Sequence, residues 1–273
     1  MTISAAGFQL ACHNGSPEEN LTAIRDGVLA IASQHPETQL VAVPELALSG
    51  TDCGAGFFDL GVRWPDGKAL TSLAAVAKEA GIMLIVGIIE ASPAPGVMYN
   101  AAAIFDSDGS PLGCYRKTHC LAREMLYFRN GCELPVFDSD LGRFGVLICW
   151  DAAFPEAARV MALQGAEFLV VLGAWQDPYA SDWEMVVSAR AYDNVLPILA
   201  VNRSGHDNQW TFSGHSKIVD CLGKTVAEAG EGENAIFAGV IDKEHTGEVR
   251  KGYGSQLRDR NPAVYGLLTY PNP

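Results

Sequence analysis

Two periodicities alternate along the chain. Nearly unbroken apolar runs occur at Gln39–Val43, Ile82–Ile89, Phe144–Cys149, Glu167–Leu172 and Pro197–Val201, and runs of this length predict strands buried on both faces. Between them, apolar residues recur every three or four positions, as in Leu21, Ile24, Val28 and Ile31, or Leu70, Leu73, Val76 and Ala77, or Ala157, Val160, Met161 and Leu163. That spacing predicts helices with one buried stripe. Local signals place several ends. Ser16-Pro17-Glu18-Glu19 suits a helix start, His35-Pro36 a stop, and Gly81 a C-terminal cap. Ser181-Asp182-Trp183-Glu184 has capping-box spacing and opens a helix running to Asn194. Shorter strands are predicted at Phe8–Ala11, Phe212–Val219 and Ala235–Ile241, and a hairpin joins Asn100–Phe105 to Gly113–Arg116 through Asp106-Ser107-Asp108-Gly109. From Glu244 to Pro273 the periodicity is weak, which predicts irregular structure covering the body or a neighbouring subunit.

Leu70–Glu90 and Pro155–Gly173 share one plan of helix, glycine and buried strand, which suggests two sheets, each covered by helices on one outer face. With no Pro/Gly/Ser-rich linker, the expectation is one α/β domain spanning 1–273. At 48% hydrophobic residues the chain has ample material for a large core. Acidic residues outnumber basic ones by 32 to 19, and a net charge of −13 argues against nucleic acid or an anionic membrane surface as partner. Seven scattered cysteines, without CxxC pairs or a signal peptide, fit reduced thiols in a cytoplasmic protein. No apolar run approaches the roughly 20 residues needed to cross a bilayer.

The chemistry concentrates where strands end. Cys149 closes the run Phe144–Ile148, and Phe154-Pro155-Glu156 soon opens a helix. A cysteine at such a corner is rigidly held and close to backbone N–H groups, as in a nucleophile elbow, although a lone cysteine is often only a small buried hydrophobe. Glu45 follows the strand Gln39–Val43 directly, and Lys117 follows the hairpin. A thiol, a carboxylate and an amine form a workable set: Glu45 can take the thiol proton, and Lys117 can stabilise thiolate and oxyanion beside the N–H of Trp150. No Walker A, GxGxxG or GxSxG motif is present, and the spacing of Cys114, His119, Cys120 and Cys132 matches no common zinc pattern.

Pro44-Glu45-Leu46, Tyr115-Arg116-Lys117-Thr118-His119 and Gly145–Asp151 with Phe154-Pro155-Glu156 together resemble the three ordered signatures of the nitrilase superfamily of carbon-nitrogen hydrolases. The resemblance implies a four-layer αββα sandwich, a homodimer or higher homo-oligomer, and hydrolysis of a non-peptide C–N bond with no cofactor or metal. It implies Glu45 as general base, Lys117 as oxyanion stabiliser, Cys149 as nucleophile and Glu124 as a second, substrate-positioning glutamate. Cys149-Trp150-Asp151 resembles the amidase and carbamoylputrescine amidase branches, so the substrate expected is a small linear amide, with an N-carbamoyl amine as the alternative. Trp150 and Trp175 are the expected substrate-binding residues. Thr51, where an aromatic residue is common, and Gly173-Ala174-Trp175, which lacks a common proline, are two departures able to shape the pocket. Two rivals stay open: a Cys-His hydrolase using His215 or His119, and a binding protein without turnover.

Overall fold

The structure is a computed structural model that describes residues 2–252 and 255–269. In its first half the chain forms β1 (Thr2–Gln9), α1 (Pro17–Gln34), β2 (Leu40–Ala42), α2 (Lys68–Ala80), β3 (Met83–Ala91), β4 (Met98–Phe105) and β5 (Pro111–Arg116). There follow β6 (Val136–Phe137), β7 (Phe144–Ile148), α3 (Pro155–Leu163), β8 (Phe168–Gly173), α4 (Ala180–Asn194) and β9 (Ile198–Asn202). The last part comprises β10 (Ser204–His206), β11 (Thr211–Ser213), β12 (Ser216–Val219), β13 (Thr225–Gly230), β14 (Ala235–Asp242) and α5 (Lys243–Lys251).

One six-stranded sheet runs in the order β14-β1-β2-β3-β4-β5, the other β13-β12-β9-β8-β7-β6, and β10 pairs with β11 as a separate ribbon. In each sheet the central three strands are parallel, with antiparallel partners outside them. Strand alternation sends Val41, Leu84 and Ala103 into one apolar cluster with Ile24, Val28, Leu70 and Leu73 of α1 and α2. It sends Leu40, Ala42, Ile85 and Ile104 into another with Val146, Val170 and Val201 of the second sheet, which continues to Ala158, Met161, Trp183 and Val187 of α3 and α4. The layers are therefore helices, sheet, sheet, helices, as the resemblance implies.

Several boundaries differ from the sequence expectation. β1 starts at Thr2 rather than Phe8, because its first residues are small or polar and give no apolar run. Small size is required there: a Cβ on Gly7 would overlap the Phe237 ring. The strand expected over Phe212–Val219 is two strands, broken where Gly214 (φ +79°) and His215 (φ +55°) turn left-handed. A side chain on Gly214 would collide with the Gln9 carboxamide, so the break and the glycine go together. α4 begins at Ala180 without a side-chain cap, and Glu184 instead faces His215 and Lys217, so the capping box does not form. Ser16 likewise makes no side-chain cap bond.

Part of the tail is regular. Asp242 accepts from the N–H groups of Glu244 and His245 and so caps α5, a cap–helix signal that the low hydrophobicity of Lys243–Lys251 obscures. Beyond it, Leu257 packs on the larger apolar cluster, with Gln256 bonded to the Tyr192 carbonyl of α4, and the final residues of the tail lie outside the described ones. No described helix is long and apolar enough to cross a membrane.

Gln9 is fully buried where β1 meets the second sheet. Its amide donates to the carbonyls of Gly230 (2.9 Å) and Gly232 (2.7 Å), and its carbonyl accepts from the Ser216 N–H (2.9 Å). Replacing it by an apolar residue of similar size removes all three bonds and strands the buried Ser216 N–H. We expect Gln9→Leu to lose about 3 kcal/mol in chemical denaturation, while an exposed-site variant such as Lys224→Gln stays within about 0.5 kcal/mol.

Candidate active site

Three strand ends meet at the seam between the sheets. Glu45 follows β2, Lys117 follows β5 in the same sheet, and Cys149 follows β7 in the other. After Glu45 the backbone turns sharply, with Leu46 at φ +49°, and β3 passes so close beneath that a Cβ on Gly87 would overlap the Pro44 carbonyl and the Leu46 nitrogen. Cys149 is itself left-handed (φ +49°) and leads into a 3-10 turn over Cys149–Ala153, after which Pro155 opens α3. A non-glycine residue in this region costs about 1–3 kcal/mol and persists only where its surroundings impose it. Here the end of a buried parallel strand and the start of a helix impose it.

The side chains converge. Lys117 Nζ donates to Glu45 Oε1 (2.6 Å) and to both carboxylate oxygens of Glu124 (2.9 and 2.8 Å). Asn100 in β4 donates from Nδ2 to Glu45 Oε1 (2.7 Å) and Glu124 Oε1 (3.1 Å), and Glu124 also accepts from the Leu121 N–H (2.6 Å). The Cys149 sulfur lies beside these groups, close enough for Glu45, Lys117, Glu124 and the Ala174 backbone all to act on its proton affinity. Glu45 and Lys117 are almost wholly inaccessible, whereas Cys149 keeps 8% exposure.

Burial dominates the electrostatics. It pushes the Glu45 carboxyl above its ordinary value, against the pull of the Lys117 ammonium. It opposes the Lys117 charge too, but Glu45, the Cys149 sulfur and Glu124 outweigh it and hold this amine protonated well above its usual range. Burial, and then the Glu45 charge, push the Cys149 thiol well up. The resting arrangement is a neutral thiol facing a carboxylate whose proton affinity has been raised, beside a permanent cation.

All six residues expected from the sequence fall in or around this cluster. Glu124 sits on the 3-10 turn Ala122–Leu126 and joins the charge network. The Trp150 ring stands edge-on to Phe154 (6.0 Å between centroids) and tilted toward Trp175 (5.8 Å). Trp175 follows the Ala174 that meets the sulfur, and its indole N–H is buried without a protein partner among the described residues. Thr51 turns away: its hydroxyl bonds Arg203 and Asp207. The two histidines of the rival scheme are engaged elsewhere, His215 with Glu184 (3.0 Å) and Glu231 (3.8 Å), His119 with Asp151 (2.8 Å). Sequence reasoning missed Asn100 as a bridge between the two glutamates. Its only signal was an amide inside an otherwise apolar strand, and such a group needs buried partners.

A thiol, a carboxylate and an ammonium thus meet at the seam of an αββα sandwich, a set able to support nucleophilic chemistry without a histidine. Residues 4–251 match the carbon-nitrogen hydrolase family. The chain is 34% identical to "Probable nitrilase C965.09" of Schizosaccharomyces pombe, with 99% of this chain and 100% of that protein covered. It is 34% identical to the N-carbamoylputrescine amidase of Solanum lycopersicum, covering 97% and 94%. A crystal structure of a carbon-nitrogen hydrolase from Helicobacter pylori superposes with a TM-score of 0.91 at 32% identity, over 99% of each chain. The chain belongs to the carbon-nitrogen hydrolase family of the nitrilase superfamily.

Gly87 tests how closely the Glu45 turn is held. Gly87→Ala must displace the Pro44–Leu46 backbone, and a displacement near 1 Å at a reacting group costs about 100-fold in rate. We expect turnover to fall by about that factor in a protein that still folds, measured by steady-state kinetics beside circular dichroism.

Proposed function

We propose that the protein hydrolyses a small linear amide to a carboxylic acid and ammonia through a thioester on Cys149. The observation that carries this reading is the buried Glu45–Lys117 ion pair with Cys149 beside it at the seam between the sheets. As the sulfur attacks the amide carbonyl, its proton passes to Glu45, the carboxylate that acts on it most strongly. The carbonyl oxygen gains negative charge and is met by the Lys117 ammonium and the Trp150 N–H. With Glu45 taking one N–H of that ammonium and the two oxygens of Glu124 sharing a second, the third is the one that turns to the oxyanion. Collapse of the intermediate breaks the C–N bond, and Glu45 returns its proton to the leaving nitrogen. Water, deprotonated by Glu45, then attacks the thioester and frees the acid and the thiol. Glu124 holds Lys117 and Asn100 and borders the acyl site, while Trp150 and Trp175 form its aromatic wall.

The proton economy explains why a high thiol pKa suits this site. A thiolate need not be stored, because a carboxylate with raised proton affinity removes the proton during attack. Hydrolysis of an N-carbamoyl amine is the second reading, supported by the identity to the plant N-carbamoylputrescine amidase over nearly the whole chain. Both readings use the same residues and differ in the group flanking the carbonyl.

A panel of short aliphatic amides, ω-amino amides, N-carbamoyl amines and nitriles, scored by ammonia release, separates them. We expect the highest kcat/KM on an aliphatic amide and no measurable release by Cys149→Ala; ammonia from nitriles alone overturns the reading. Glu45→Gln gives a second test with two signs. Removing the negative neighbour favours the thiolate, so the inflection for Cys149 alkylation by iodoacetamide moves to lower pH. Loss of the base lowers turnover by about 1000-fold at the same time.

A further inference from the structure

The catalytic set spans two sheets, so something must fix the distance across the seam. We propose that Asp151 is a positioning residue that pins the Lys117 segment of one sheet to the Cys149 elbow of the other. Its carboxylate is fully buried. One oxygen, Oδ2, accepts from the Ile148 N–H (3.1 Å), the residue before the nucleophile, and from the Tyr115 hydroxyl (2.7 Å) on β5. The other, Oδ1, accepts from the Thr118 N–H (3.2 Å), the Thr118 hydroxyl (2.9 Å), the His119 N–H (2.9 Å) and His119 Nδ1 (2.8 Å).

These partners bracket Lys117. Tyr115 lies two residues before it, on the same face of the strand, and Thr118 and His119 follow it immediately. The side chain that gathers them leaves the backbone two residues after Cys149. Lys117 and Cys149 are thereby both referred to one rigid carboxylate. Phe154, stacked on the His119 ring at 3.9 Å with 12° between planes, adds a second clasp between the same two segments.

The ionised carboxylate is specifically suited to this. Every partner hydroxyl or backbone N–H can donate, His119 Nδ1 donates in one tautomer, and a carboxylate alone offers acceptors on both oxygens. An asparagine must turn an amide N–H toward either the Ile148 or the Thr118 and His119 N–H groups. The titratable groups facing Asp151 are His119 and Tyr115, and burial, followed by the Asp151 charge, keeps the phenol well above its ordinary value and so a donor. A glutamate would lengthen the link and push the two segments apart.

The inference rests on Cys149 as the proposed nucleophile, but its first readout needs no amide. Asp151→Asn, Tyr115→Phe and the control Ile24→Ala, in the core between the first sheet and α1, are compared in the full chain. For each, the melting temperature, the pH inflection of Cys149 alkylation by iodoacetamide, and kcat and KM on the best amide of the panel are measured. Lys117 is the nearby cation that favours the thiolate, so loosening it raises the inflection. Asp151→Asn is expected to raise it and to lower kcat by about 100-fold with KM within about threefold. Tyr115→Phe shifts both in the same direction, with kcat down about tenfold. Ile24→Ala lowers the melting temperature but moves neither. If the Asp151 and Tyr115 variants are destabilised like the control while inflection and kcat of the folded protein stay at wild type, Asp151 is only structural and the proposal fails. Should Asp151→Asn not fold, Tyr115→Phe decides alone; should no amide be turned over, the inflection decides alone.

Discussion

A buried ammonium shared by two carboxylates is the constraint on which the site depends. Lys117 has almost no contact with solvent, and an amine placed there alone would surrender its proton. Glu45 and Glu124, at 2.6 to 2.9 Å, keep it charged. Such a pairing is a poor way to stabilise a fold, because desolvation consumes most of the attraction, and removing one partner commonly costs about 3–5 kcal/mol. Its value is chemical. It supplies a fixed cation that needs no reorganisation when negative charge develops nearby, while burial, against the pull of that cation, keeps the proton affinity of Glu45 raised.

The fold keeps these groups in register by building them at strand ends. Parallel central strands, buried on both faces, set where β2 and β7 stop, and the turns beyond them adopt left-handed backbone at Leu46 and Cys149. Strain of that kind survives because glycine gives the turn room at Gly87 and because α3 begins at once after Phe154. Cys149 and Glu45, the proposed nucleophile and base, lie on different sheets, so the packing between sheets is also part of the geometry of the site. Gln9 fastens β1 to the second sheet's outer strands, and Asp151 bridges the sheets at the catalytic seam.

Much of this was legible in the residues because the determining patterns are local. Continuous apolar runs gave the central strands, helical spacing gave α1 to α3, and the placement of Glu45, Lys117 and Cys149 at run ends pointed to the reacting groups. What escaped notice depends on distant contacts. β1 is built of small residues because side chains crowd it from its neighbour strand and from the other sheet, as at Gly7 beside Phe237 of β14 and Val201 of β9, and no local pattern encodes that. The break at Gly214 is required by Gln9, some two hundred residues earlier. Asn100 reads from the sequence only as the first residue of a hairpin strand, and only tertiary structure makes it the bridge between two glutamates. Asp151 read as a mark of substrate class, whereas its hydrogen bonds point to Tyr115, Thr118 and His119.

The central claim is that Cys149 carries the acyl group between two half-reactions that share Glu45. Rapid acid quench during turnover of the best amide, followed by peptide mass mapping, tests it most directly. The account predicts that the mass of the acyl group appears on the peptide containing Cys149 and decays as the acid is released. An acyl group on any other side chain, or rapid product formation with Cys149 unmodified throughout, would contradict it.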